Sequence, residues 1–139
     1  IRAIPGAREA VRSLKARGAK LGVVTSKSRW GTERGLDLCE LGQFFKVKVT
    51  AEDVDCHKPH PEPVLRALEL LDADARATVF IGDSPHDMAS GRSAGVFTAA
   101  ALWGPFERSV LEPHAPSFWL SCPEELARLG LAGQSRTPT

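Results

Sequence analysis

The chain has 139 residues, enough for one domain and short for two. Its 18 Lys and Arg against 17 Asp and Glu leave a net charge of +1, which argues against a nucleic-acid or anionic-membrane binder, because either needs a large basic excess. At 42% hydrophobic and 25% charged it reads as an ordinary globular domain, and no apolar run approaches the roughly 20 residues of a spanning helix.

Taken in chain order, helical and strand signals alternate. Ala7, Val11 and Leu14 share one helical face, Arg8, Arg12, Lys15 and Arg17 fill the others, and Gly18 is placed to close the helix. The apolar run Leu21-Gly22-Val23-Val24 reads as a buried strand ending at Thr25. Residues 28–41 follow as a helix that Gly31 and Gly35 weaken. Residues 44–50 contain the alternation Val47-Lys48-Val49 and read as a second strand. The His- and Pro-rich stretch 53–63 reads as a loop. Pro61 and Pro63 suit a first helical turn, and Val64, Leu65, Leu68 and Leu71 then form an apolar stripe at helical spacing.

Thr78-Val79-Phe80-Ile81 is the clearest buried strand and runs into Gly82-Asp83-Ser84. Ser84 is placed as an N-cap, with Asp87 in the first turn and Gly95 at the far end of that helix. A strand over 96–102, the loop Trp103-Gly104-Pro105, a short helix over 107–111 and the strand Phe118-Trp119-Leu120 complete the alternation. Ser121-Cys122-Pro123-Glu124 carries capping-box spacing ahead of Leu126 and Leu129. Residues 1–130 are expected to be one domain and 131–139 a flexible tail. Repeated α-then-β units predict an α/β fold, a mostly parallel sheet with helices on both faces. Ligands of such sheets bind beyond the carboxyl ends of the strands, where Thr25-Ser26-Lys27 and Gly82-Asp83-Ser84 fall, with Lys58 in the loop after a third strand.

Cys39, Cys56 and Cys122 are odd in number and stand in no C-x-x-C or C-x-x-H pattern, so the expectation is a reducing, cytoplasmic setting without disulfides or a structural zinc site. His57 and His60 are expected to be loop residues and His86 to stand outside any metal's immediate ligands. No G-x-G-x-x-G or P-loop signature is present.

Asp83 and Asp87 can face one small volume from a strand end and the first turn of the next helix, an oxygen donor set suited to Mg2+. Thr25, with the backbone amides of Ser26 and Lys27, can hold a phosphoryl oxygen. Lys58, between His57 and Pro59, can neutralise a phosphate or a carboxylate. Each residue also has a plainer reading: a strand-ending Thr, a solvated Lys, a loop Asp and a favourable helix-start charge.

Their order is more telling. A strand ending in Thr25, then Lys58-Pro59, then an apolar strand entering Gly82-Asp83-Ser84-Pro85-His86-Asp87, resembles motifs II, III and IV of the haloacid dehalogenase-like hydrolase superfamily. The flanks Pro5-Gly6-Ala7-Arg8-Glu9-Ala10, Lys58-Pro59-His60-Pro61-Glu62-Pro63 and Ser90-Gly91-Arg92-Ser93-Ala94-Gly95-Val96 are similar to its phosphoglycolate phosphatase and pyrophosphatase branch. The resemblance runs from Ile4 to Leu129 and implies a three-layer Rossmann-like core.

It further implies roles. Thr25 would hydrogen-bond the transferring phosphoryl group, with Ser26 and Lys27 beside it. Lys58 would stabilise charge on that group and on the nucleophile, and Asp83 and Asp87 would ligate Mg2+. The acidic pair favours a phosphatase over a dehalogenase, acting on a small phosphorylated metabolite or pyrophosphate. His60 stands where the family commonly has Asp.

The family's attacking residue is the first Asp of an Asp-x-Asp at the end of a central strand. Here Asp53-Val54-Asp55 and Asp72-Ala73-Asp74 have that spacing but fall in predicted loops. The nucleophile strand and a cap domain are therefore expected to lie ahead of Ile1, outside this chain. A core without its central strand would expose sheet edges open to self-association. The alternative expectation is a non-catalytic phosphate- and Mg2+-binding module or one piece of a split protein.

Overall fold

A computed structural model describes residues 4–129; the tail expected over 131–139 lies outside them. Five α-helices and five strands alternate as anticipated: α1 (Ala7–Ala16), β1 (Gly22–Val24), α2 (Arg29–Leu38), β2 (Val47–Val49), α3 (Glu62–Leu71), β3 (Val79–Gly82), α4 (Pro85–Ala94), β4 (Phe97–Ala101), α5 (Arg108–Leu111) and β5 (Phe118–Leu120). Every strand pair is parallel. β1 pairs with β2 in one sheet, and β3-β4-β5 form a second, with β4 in its middle.

Local chemistry explains most boundaries. Ser28 caps α2 by accepting from the Gly31 N–H, and Ser84 caps α4 by accepting from the Asp87 N–H. α4 ends at Gly95, whose φ of 85° is left-handed backbone that a side chain would strain. The core centres on β4 and β5: Ala99, Leu120, Leu126 and Leu129 pack with Leu14 of α1, while Ala100 packs with Met88 and Leu111. Leu111 and Leu120 are sealed from solvent, so truncating either to Ala costs about 2–5 kcal/mol. β1 and β3 are only half-buried along their lengths, and each is paired on one side only among the described residues. Leu21, just before β1, packs into the same cluster as Val79 and Ile81 of β3.

Two local expectations shift. The strand read over 44–50 is shorter, because Leu41 O accepts from the Phe44 N–H and turns residues 42–44 into a 3-10 helix that buries Phe44. The capping-box spacing at Ser121 is not used as such. The Ser121 N–H donates to the Glu125 carboxylate, and Pro123–Arg128 forms a 3-10 helix rather than an α-helix. A box unforeseen from the sequence forms instead at Thr50, whose N–H and hydroxyl both donate to Asp53 Oδ2 at 2.7 Å. Asp53 is thereby a structural acid, as its place away from a strand end implies. No helix among the described residues is long and apolar enough to cross a membrane.

Candidate active site

β3 ends at Gly82, and the cap at Ser84 starts α4 immediately, so Asp83 and Asp87 are only one turn apart. The Asp83 N–H donates to Asp87 Oδ2 over 3.0 Å. Lys58 reaches in from the loop between β2 and α3 and donates to Asp87 Oδ1 over 2.6 Å. Both oxygens of Asp87 are thus engaged within the protein. The pair is mostly shielded, with 15% of the Lys58 side chain and 10% of the Asp87 side chain exposed. The Lys58 ammonium also lies 5.8 Å from the centre of the Phe80 ring, within cation–π range. Ser90, fully buried on α4, donates to the His60 carbonyl over 2.7 Å and ties the Lys58 loop to the same helix.

Close backbone approach shapes the acidic pair. A Cβ on Gly82 would stand 2.3 Å from the Cβ of Asp87, and one on Gly104 would stand 2.4 Å from the Cβ of Asp83. Both glycines are therefore required by space. Gly104, in the loop after β4, is a site residue that the sequence reading missed, because nothing local in Trp103-Gly104-Pro105 points across the sheet to Asp83.

The electrostatics leave a surplus of negative charge. Burial, and then the neighbouring Asp87 charge, push the Asp83 carboxyl above its ordinary value; Lys58 and the residue's own backbone N–H pull the other way. Two carboxylates share one ammonium, and that ammonium is bonded to Asp87. Asp83 is left facing the site as the less compensated acid, a donor suited to a hard divalent cation.

Lys58, Asp83 and Asp87, singled out from the sequence, therefore come together. Thr25, Ser26 and Lys27 follow the carboxyl end of β1. The Thr25 N–H donates to Val49 O, extending the β1–β2 ladder, and Thr25 Oγ1 accepts from the Lys27 N–H at 3.2 Å. Ala51 N–H donates to Lys27 O, which pins the turn, and Ser26 and Lys27 are exposed. No hydrogen bond or ion pair among the described residues joins this turn to the Asp83–Asp87–Lys58 group.

The family described as haloacid dehalogenase-like hydrolase matches residues 1–101. The pyrophosphatase PpaX of Bacillus cereus is 48% identical over 112 residues, covering 81% of this chain and 52% of the relative. The chain thus spans about half the length of the curated relatives it matches. Among solved structures, a HAD-superfamily hydrolase of subfamily IA from Geobacter sulfurreducens superposes with a TM-score of 0.76 at 33% identity, over 90% of this chain and 54% of that one. A predicted phosphoglycolate phosphatase from Haemophilus somnus superposes at 0.85 over 91% and 56%, and at 23% identity it speaks for the fold. On the match over residues 1–101, the three-layer Rossmann-like likeness of its fold and the sequence identity to PpaX, this chain belongs to the haloacid dehalogenase-like hydrolases.

Proposed function

We propose that this chain supplies the phosphate- and metal-handling half of a phosphatase acting on a small phosphate monoester, phosphoglycolate-like, or on pyrophosphate. The observation that carries the reading is the linked group Lys58–Asp87–Asp83, fixed by the end of β3 and the start of α4. Asp83 would hold Mg2+ directly. Asp87, whose two oxygens are already bonded, would act through a water or after releasing one partner. Bound there, Mg2+ would supply charge stabilisation to the phosphoryl oxygens.

The chain's own residues do the remaining work. Thr25 would orient the phosphoryl group with the Ser26 backbone amide, joined by the Lys27 amide once it leaves Thr25 Oγ1, and Lys58 would offset negative charge on it and on the attacking carboxylate. In this reading the attacking Asp comes from a parallel strand outside this chain that pairs with β1 and β3, each of which, like β2 and β5, has a free edge among the described residues. Attack of that carboxylate on phosphorus would break the bond to the ester oxygen and expel the protonated alcohol, or the second phosphate of pyrophosphate, giving an aspartyl-phosphate that water then cleaves to free Asp and inorganic phosphate. The reading places the protein in a reducing cytoplasm, on the odd number of cysteines and their lack of any paired spacing in the sequence.

A second reading keeps one observation. Asp53 is committed to the Thr50 box, and Asp72 lies at the left-handed end of α3, so neither Asp-x-Asp of this chain stands at a strand end. The 139-residue chain by itself would then bind phosphate and Mg2+ without turnover. Assay of the full-length protein on a panel of phosphate monoesters and pyrophosphate, with and without Mg2+, separates the two. Mg2+-dependent release of phosphate that Asp83→Asn abolishes supports the phosphatase; inactivity across the panel leaves only the binding module.

A further inference from the structure

The loop between β2 and α3 carries a second cluster, of different chemistry from the acidic pair. Cys56, His60 and Glu62 each present a donor atom, and the three donors lie within 4.8 Å of one another. Cys56 and His60 are exposed and Glu62 is half-buried. Spacings of four and two along a sequence give no familiar metal pattern, and each residue taken singly reads as a loop residue. The fold of the loop brings them together.

That fold is specific. Glu62, the first residue of α3, accepts from the Cys56 N–H at 2.6 Å and from the Asp55 N–H at 3.1 Å, both through Oε1. Oε2 accepts no hydrogen bond among the described residues. The His60 Nδ1 accepts from the Glu62 N–H at 3.0 Å. The loop is anchored below by the bond from Ser90 to the His60 carbonyl. The three donors are therefore held on one short, closed stretch of backbone, with solvent on the open side.

We infer that Cys56, His60 and Glu62 form a binding site for a borderline divalent cation of the zinc class, separate from the oxygen-only pair Asp83 and Asp87. The donor set is one sulfur, one imidazole nitrogen and one carboxylate oxygen, three protein ligands of the kind that leave a fourth position to water. Bond lengths of about 2.0–2.3 Å put donors of a tetrahedral site roughly 3.2–3.8 Å apart, so closing from at most 4.8 Å takes about 1 Å of movement, which the exposed Cys56 and His60 side chains can supply. Binding releases the Cys56 thiol proton to solvent. An ion bound through His60 Nε2 would leave the bond from the Glu62 N–H to Nδ1 in place, and one bound through Nδ1 would displace an exposed hydrogen bond that water can replace. Mg2+, which prefers oxygen ligands in an octahedron, is excluded by the same donor set. Lys58 lies between Cys56 and His60, so an ion here would clasp the loop on both sides of that residue.

The test uses Co2+ as a spectroscopic stand-in for Zn2+ on the full-length protein. One equivalent of Co2+ is expected to give a thiolate-to-metal charge-transfer band together with tetrahedral d–d bands, which Zn2+ bleaches and excess Mg2+ does not. Cys56→Ser should remove the charge-transfer band. His60→Gln and Glu62→Gln should each weaken binding by about tenfold or more, judged against the 10–100-fold cost of losing even an outer partner of a metal site. Asp83→Asn, Cys39→Ser and Cys122→Ser should leave the spectrum intact. Far-ultraviolet circular dichroism of each variant checks that the fold is kept, and the His60 and Glu62 variants report independently should the Cys56 variant misfold. Absence of a charge-transfer band, its survival in Cys56→Ser, or its loss in Asp83→Asn overturns the inference.

Discussion

Lys58 Nζ donates to Asp87 Oδ1 over 2.6 Å, joining a Pro-bounded loop to the first turn of α4 across 29 residues of sequence. The bond holds the cation against the acid whose second oxygen is already taken by the Asp83 N–H. Asp83 is thereby left as the acid with the least compensation. The relationship sets two carboxylates of the same type apart: Asp87 bonds the Lys58 ammonium and the Asp83 N–H, and under the proposed function Asp83 is the acid left to a metal ion.

The pair should show measurable coupling. Lys58→Met keeps most of the stem but leaves a largely buried carboxylate without its cation, a loss of about 1–3 kcal/mol. Asp87→Asn should cost a similar amount. Chemical denaturation of both single variants and the double variant forms a thermodynamic cycle, and the two effects are expected to fall short of additivity by more than about 0.5 kcal/mol. Additivity within that margin would mean that the bond contributes nothing specific to stability.

Much of this region was legible because its signals are local. The β-branched and aromatic run at Val79-Phe80-Ile81, the hydroxyl of Ser84 and the glycine at 95 act through their own backbone, so β3 and both ends of α4 stand where the sequence puts them. The meeting of Lys58 with Asp83 and Asp87 was anticipated only through the order of the motifs, since the loop and the strand end are far apart in sequence. Gly104 against Asp83 was hidden because it is a tertiary contact, and Cys56 with His60 and Glu62 because the turn of a loop has no periodicity to reveal it. Phe44 misled in the opposite sense, since an aromatic next to an alternating run reads as strand, whereas here it fills the core from a 3-10 turn.

Asp83 and Asp87 should account for any stabilisation by Mg2+. A cation that binds the folded chain alone at 100 times its dissociation constant adds about 2.7 kcal/mol, readable as a rise in the unfolding midpoint. Asp83→Asn is expected to erase that rise. In the absence of Mg2+ the same substitution should not lower the midpoint, because it removes a charge that burial and Asp87 both disfavour. A full Mg2+ response in Asp83→Asn, followed by thermal unfolding, would move the metal site elsewhere.

The Thr50–Asp53 box makes a pH-dependent contribution to stability. The Thr50 N–H and hydroxyl, followed by Arg29, hold the Asp53 carboxyl below its ordinary value. A lowered folded value means that the stabilisation is present above the unfolded value and is lost as pH falls through the folded one. Asp53→Ala should therefore cost about 0.5–2 kcal/mol at neutral pH, near the low end because the group is largely in solvent. The gap between the variant and the parent should close as the medium is acidified below the usual carboxylate range. Urea denaturation at a series of pH values measures it, and a gap that widens on acidification would contradict the assignment.

Gly104 offers the sharpest separation of site geometry from stability. A methyl group at this position would begin 2.4 Å from the Cβ and 2.5 Å from Oδ2 of Asp83, distances that force one of them to move. Asp83 is fixed at the end of β3 by the Gly82–Ala100 register, so the accommodation falls on its side chain or on the 103–106 loop. The loop lies toward the surface and its glycine carries no positive φ, so Gly104→Ala is expected to cost no more than about 1–3 kcal/mol of stability. Its effect on Mg2+ should be larger in proportion: weaker Mg2+ affinity, with phosphatase activity of the full-length protein recovered in part at high Mg2+. Gly95→Ala serves as the comparison, since nothing stands within 4 Å of a Cβ there and its left-handed φ of 85° makes its cost purely one of backbone strain. If Gly104→Ala and Gly95→Ala lose stability alike and neither changes Mg2+ affinity, then Gly104 does not shape the Asp83 side of the site.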